Sequence, residues 1–170
     1  MPLKQDDQYD INRIIVKPLY FGMVANVLVP MGLLLICYYF EKQQSWHNKI
    51  GDLANTIFYV LAAMAIAQAG LALWWRNKVM HLPMIRRKES FEDDLVEYLT
   101  TQLKYVFLII AGISLYGILY FYLTARFEET MLFVIFSFLV FQIVRPRFGL
   151  IRKVIAQQTE LVEKGAFRRD

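Results

Sequence analysis

The 170-residue chain is 57% hydrophobic and 15% aromatic, and its charged residues gather between long apolar blocks. That segregation excludes an ordinary soluble core, and the net charge of +4 is spread by block rather than as a nucleic-acid-binding patch. The single cysteine, Cys37, excludes an intrachain disulfide and reads as a small buried hydrophobe.

Residues 1–18 read as a polar tail in which Lys4, Arg13 and Lys17 face Asp6, Asp7 and Asp10. Asp10 is placed to cap a short interfacial turn with Ile11, Ile14 and Ile15 on one face, and Pro18 suits the first position of the helix that follows. The first span covers 19–40. It is too long for a signal-peptide core, and Pro30 with Gly32 predicts a kink. Asn26, one turn before that proline, is expected to hydrogen-bond a neighbouring helix. The second span, 54–75, holds no charge and extends about 33 Å as a helix, against a hydrocarbon core of about 30 Å. Its Ala63, Ala67 and Gly70 share one face, which is expected to pack within the bundle or against another subunit. Leu61 is expected to face lipid.

A loop over 76–104 has the highest charge density of the chain. Within it, Arg86, Arg87 and Lys88 are expected to meet anionic headgroups or an acidic partner. Ser90, followed by Glu92 and Asp93, reads as a helix N-cap with an acidic first turn. A helix is predicted from Phe91 through Thr124, with 105–124 as the third span. A connection over 125–129 leads to a fourth span over 130–144. That span covers only about 22 Å, so bilayer thinning or snorkelling by Arg126 and Arg145 is expected. In the tail over 145–170, Arg145, Arg147, Arg152 and Lys153 form a basic collar. Leu150, Ile151, Val154, Ile155, Leu161 and Val162 form a one-sided apolar stripe that Gln158 interrupts and Gly165 ends. Such a stripe suits a lipid surface or a partner protein.

The expected fold is therefore an all-α polytopic membrane protein: a tail over 1–18, a four-helix bundle over 19–144, and an amphipathic C-terminal helix within 145–170. Sixteen of the nineteen Lys and Arg lie in the two tails and the loop 76–104. By the positive-inside rule this places both termini in the cytoplasm. Tyr20, Trp74, Trp75 and Tyr105 are expected at the inner interface, and Tyr38, Tyr39, Tyr120 and Tyr122 at the outer.

None of the four spans contains Asp, Glu, Lys, Arg or His, which argues against a proton-coupled carrier and against a b-type haem at membrane depth. Nucleotide-binding, zinc and nucleophile motifs are missing from the sequence, so no catalytic residue, cofactor or metal is expected. The polar groups at depth are Asn26, Gln68, Gln142 and hydroxyls such as Ser114 and Ser137. The run from Val140 to Pro146, VFQIVRP, is similar to the last helix of ATP synthase protein I, a four-span assembly factor of bacterial ATP synthases. The segment Thr101 to Lys104 resembles that family's Glu-x-x-Lys, with Thr101 in the acidic position. The family's glycine-rich, proline-containing second helix has no counterpart here. The resemblance implies assembly work at a rotary ATP synthase in the bacterial cytoplasmic membrane.

The functional expectation is a non-catalytic accessory, scaffold or assembly subunit. Its partners would be other integral-membrane subunits and anionic headgroups, and not nucleic acid. A small oligomeric channel lined by Asn26, Gln68 and Gln142 is the alternative; an interfacial lipid-modifying enzyme using His81 with Glu89, Glu92 and Asp93 is a third. The topology has a direct check: a Ser45→Cys thiol should react with a reagent that does not cross the membrane.

Overall fold

The computed structural model describes residues 11–43 and 47–168, with side chains from residue 15 onward; the expected Asp10 cap lies outside them. The elements are α1 (Ile11–Met23), a π-helical turn (Val24–Leu28), α2 (Val29–Lys42), α3 (Ala54–His81), α4 (Phe91–Thr124), α5 (Phe127–Val144) and α6 (Phe148–Glu163). Four helical stretches are long and apolar enough to cross a membrane: Ile15–Lys42, Gly51–His81, Lys88–Thr124 and Phe127–Val144. The chain is thus a polytopic α-helical membrane protein.

The first span begins earlier than the sequence suggests. Pro18 lies inside α1 instead of opening a new helix, so the interfacial turn and the span are one continuous helix. Ile15 and Leu19 pack into the core on either side of the proline, and that burial outweighs the single backbone bond the ring removes. The expected kink takes the form of the π turn, in which the Val29 N–H reaches back to the Val24 carbonyl, immediately before Pro30. In α register the carbonyl deprived of a donor by Pro30 would be that of Asn26. Widening the turn absorbs that loss.

At the centre, α4 and α5 form an antiparallel hairpin, and α4 is the most buried of the spans. Their connection is two residues, not five. Ala125 adopts a left-handed φ of 57° and donates its N–H to the Phe121 carbonyl at 2.8 Å. Helix α5 then starts at Phe127, with Glu128 and Glu129 in a first turn that favours negative charge. Its 18 residues span about 27 Å, so the expected thinning is not required. Instead of snorkelling, Arg126 bonds Asn55 at 2.9 Å and Glu129 at 3.3 Å. The hairpin closes most tightly at Gly117, where a Cβ would stand 2.8 Å from the Thr130 carbonyl oxygen and 2.9 Å from the Phe133 Cβ. Tyr120, expected at the outer interface, is fully buried and packs between Phe58 and Phe133. It lies on the inward face of α4, one turn short of the helix end.

Beyond the apolar spans, helix α6 packs against α1 and α3 and carries the same core on beside the first turns of α4. Met80, Met84, Ile85, Phe91, Leu95 and Leu99 are buried with Ile151, Val154, Ile155 and Val162 of α6. The apolar stripe of α6 is therefore covered by this chain itself. Gln158, which breaks the stripe in sequence, is fully buried within it. Its Oε1 accepts the Met84 N–H at 2.9 Å and its Nε2 donates to the Leu82 carbonyl at 3.0 Å, so one side chain satisfies both edges of the loop. Gly165, with φ of 75°, ends α6 as expected. Its N–H bonds the Val162 carbonyl and the next N–H bonds that of Leu161, the pairing of a Schellman motif. Ser90 does not cap α4 by accepting a backbone N–H; its hydroxyl donates to Asp94 at 2.9 Å. The Asp94 carboxylate also takes the Arg86 N–H at 2.8 Å and holds the loop to the helix.

Gln158→Leu should strip the buried Met84 N–H of its acceptor, at a cost of about 1–3 kcal/mol. Limited trypsin digestion in detergent should then cut within α6, at Arg152 or Lys153, about 10-fold faster or more, while the spans stay protected.

Candidate functional site

The polar side chains within the spans converge on the backbone of α4. Asn26, 1% exposed in the π turn, donates Nδ2 to the Phe107 carbonyl at 3.2 Å and to the Gly22 carbonyl at 3.1 Å. Gln68 of α3 donates to the Ile109 carbonyl. Ser137 of α5 donates to the Ile110 carbonyl at 3.1 Å, and Thr130 to the Gly117 carbonyl at 3.2 Å. These carbonyls use a second lone pair to bind helices that have no hydrophobic drive to associate within lipid. Gly112 makes room for the Gln68 contact, since a Cβ there would stand 2.4 Å from Nε2. Phe107 and Ile109 are two residues apart, about 200° around the helix. Asn26 and Gln68 therefore reach α4 from opposite sides and line no common path within one copy of the chain. Gln142 is half-buried near the end of α5, where its main-chain carbonyl accepts from Arg147 at 3.3 Å.

The expected packing face of α3 is corrected by the structure. Ala63, Ala67 and Gly70 are exposed, and a Cβ at Gly70 would meet nothing within 4 Å. The helix packs through Leu61, Ala65, Ala69 and Ala72 instead, all buried, so Leu61 does not face lipid. The two stripes lie about 180° apart at 100° per residue. Alanine on the inner stripe brings α3 close to α4. The outer stripe presents an equally low surface away from the bundle.

The expected basic collar divides by role. Arg86, Arg87, Lys88, Arg145, Arg147, Arg152 and Lys153 are all exposed residues outside the apolar parts of the spans. Arg147 bonds the end of α5, as does Arg76, whose guanidinium donates to the Ile143 carbonyl at 2.9 Å. These two arginines satisfy carbonyls that a helix C-terminus leaves open. Exposed Tyr20, Trp74 and Tyr105 ring the same end, and the Lys78 ammonium stands 5.0 Å from the Trp74 ring.

His81 is exposed at the end of α3, with Nδ1 3.3 Å from the Gln157 amide. Among the described residues, no three His, Cys, Asp or Glu side chains come together as a metal site. His81 with Glu89, Glu92 and Asp93 is thus not gathered into one.

The assembled features define a membrane bundle whose intramembrane polar groups join helix to helix. The chain matches no family model, no curated protein and no solved structure.

The two faces of α3 make opposite predictions. Ala65→Leu should overpack the bundle and lower stability by about 1–3 kcal/mol. Ala67→Leu should leave it within about 0.5 kcal/mol. Thermal unfolding of the two variants in the same detergent measures the difference.

Proposed function

We propose that this chain is a non-catalytic accessory or assembly subunit of a larger integral-membrane complex, with both termini cytoplasmic. The observation that carries this reading is the outward stripe Ala63, Ala67 and Gly70 on α3. Small residues let helix backbones approach closely where lipid offers no hydrophobic drive, and here they lie at the centre of the face turned away from the chain's own bundle. The donors of Asn26 and Gln68 are already committed to α4, which favours a packing role over a polar conduit. The distribution of Lys and Arg supports the orientation, with the α6 module on the cytoplasmic side. The likeness of residues 140–146 to ATP synthase protein I makes a rotary ATP synthase in a bacterial cytoplasmic membrane the first complex to look for.

Affinity purification of the tagged chain in a mild detergent, followed by mass spectrometry, tests the proposal. Larger membrane subunits should co-purify with it. Ala67→Leu should reduce their recovery about 10-fold, while Leu71→Phe, at an exposed position off the stripe, should not. Recovery of the chain alone, with solute flux in proteoliposomes, would instead support the oligomeric channel.

A further inference from the structure

A groove of about 530 Å³ opens between α1 and α4 at the end of the bundle ringed by Tyr20, Trp74 and Tyr105. Its polar lining comprises Lys17, Tyr20, Thr100 and Lys104; Val16 is apolar beside Lys17, and Phe21 of α1 and Val24 of the π turn extend the groove toward the centre of the span. From Lys17 to Val24 the rise along the helix is about 10 Å, so the groove passes from charged to apolar in the direction a phospholipid does. Lys17 and Lys104 are exposed, and among the described residues no carboxylate lines the groove. The Lys104 ammonium lies 5.9 Å from the Phe21 ring, at the junction of the two halves.

Thr100 supplies a second, independent observation. Helical threonines commonly return their hydroxyl to the carbonyl one turn back. Thr124, Thr130 and Thr159 do so here, at 2.8, 2.9 and 3.0 Å. Thr100 does not: its Oγ1 is buried without a hydrogen-bond partner while its side chain lines the groove. That O–H is withdrawn from water and from its own helix, as is the Tyr120 hydroxyl, but only Thr100 lines the groove, where a turn about χ1 brings its donor to the side of the two lysines.

We propose that this groove binds one anionic phospholipid of the adjoining leaflet. Lys17 and Lys104 neutralise its phosphate, the Thr100 and Tyr20 hydroxyls donate to the phosphate oxygens, and Phe21 and Val24 carry the first part of an acyl chain. Inorganic phosphate shares the headgroup chemistry and would use only the polar half. A zwitterionic headgroup would bring its own cation against two lysines. The exposed collar bases attract a negative surface without shape; this groove selects a molecule.

The test is thermal unfolding of the full chain in a mild detergent with phosphatidylglycerol, phosphatidylcholine or inorganic phosphate added. Phosphatidylglycerol should raise the midpoint in a saturable way, and the other two should not. Lys17→Gln combined with Lys104→Gln should abolish that rise, measured against the variant's own lipid-free midpoint, whereas Arg152→Gln combined with Lys153→Gln should keep it. Thr100→Val should act with opposite signs, raising the basal midpoint by removing an unpartnered hydroxyl and weakening phosphatidylglycerol binding about 10-fold. An equal response to phosphatidylcholine, or a full response to phosphate alone, would overturn the proposal. So would an undiminished phosphatidylglycerol effect in the lysine double variant or in Thr100→Val.

Discussion

The bundle depends on the carbonyl oxygens of one turn of α4. Phe107, Ile109 and Ile110 each accept a side-chain donor from a different segment: the π turn, α3 and α5. In water such bonds would compete with solvent and contribute little. Within lipid the helices gain almost nothing by hiding apolar surface, so packing and these bonds decide which arrangement persists. Each bond also fixes a register, because its donor reaches only one carbonyl. The irregular features of the fold serve that geometry. The π turn sets Asn26 against α4, Gly112 clears space for Gln68, and Gly117 lets α5 approach closely enough for Thr130 to cross over.

The outer faces of the spans are governed by a different requirement. Leu35, Tyr59, Ile66 and Leu115 are each more than half exposed, as residues bathed in acyl chains should be. Against that greasy surface, the flat strip on α3 differs in shape rather than in polarity. The aqueous end follows the rules of a soluble protein, with a packed apolar core, an amide clamp at Gln158 and a carboxylate hub at Asp94.

The number of spans was legible because uncharged blocks of membrane length have few other uses. The errors have local causes. Alanines surround α3, so the apolar pattern carried no phase, and the stripe at Ala63 looked as suited to burial as the one at Ala65. Gln68 held the missing clue, since an amide at that depth must find a partner and so turns its side of the helix inward. Gln158 read as an interruption because its partners are backbone groups 74 and 76 residues away, which no local pattern reveals. Ser90 fitted a capping pattern, yet Asp94 stood one turn away to take its hydroxyl. The groove beside Thr100 needed two helices in place before its lysines could share a neighbourhood.

Helix α4 has 34 residues and runs unbroken from the α6 module through the bundle. It is a rod about 51 Å long, of which only about 30 Å can lie within hydrocarbon. Its tilt is set by bilayer thickness and by the neighbours bonded to its middle. A stiff rod pivoting by about 10° swings its ends about 9 Å relative to one another. The hairpin turn at one end and the first turns beside α6 at the other are thus held on one continuous helix, without a hinge between them.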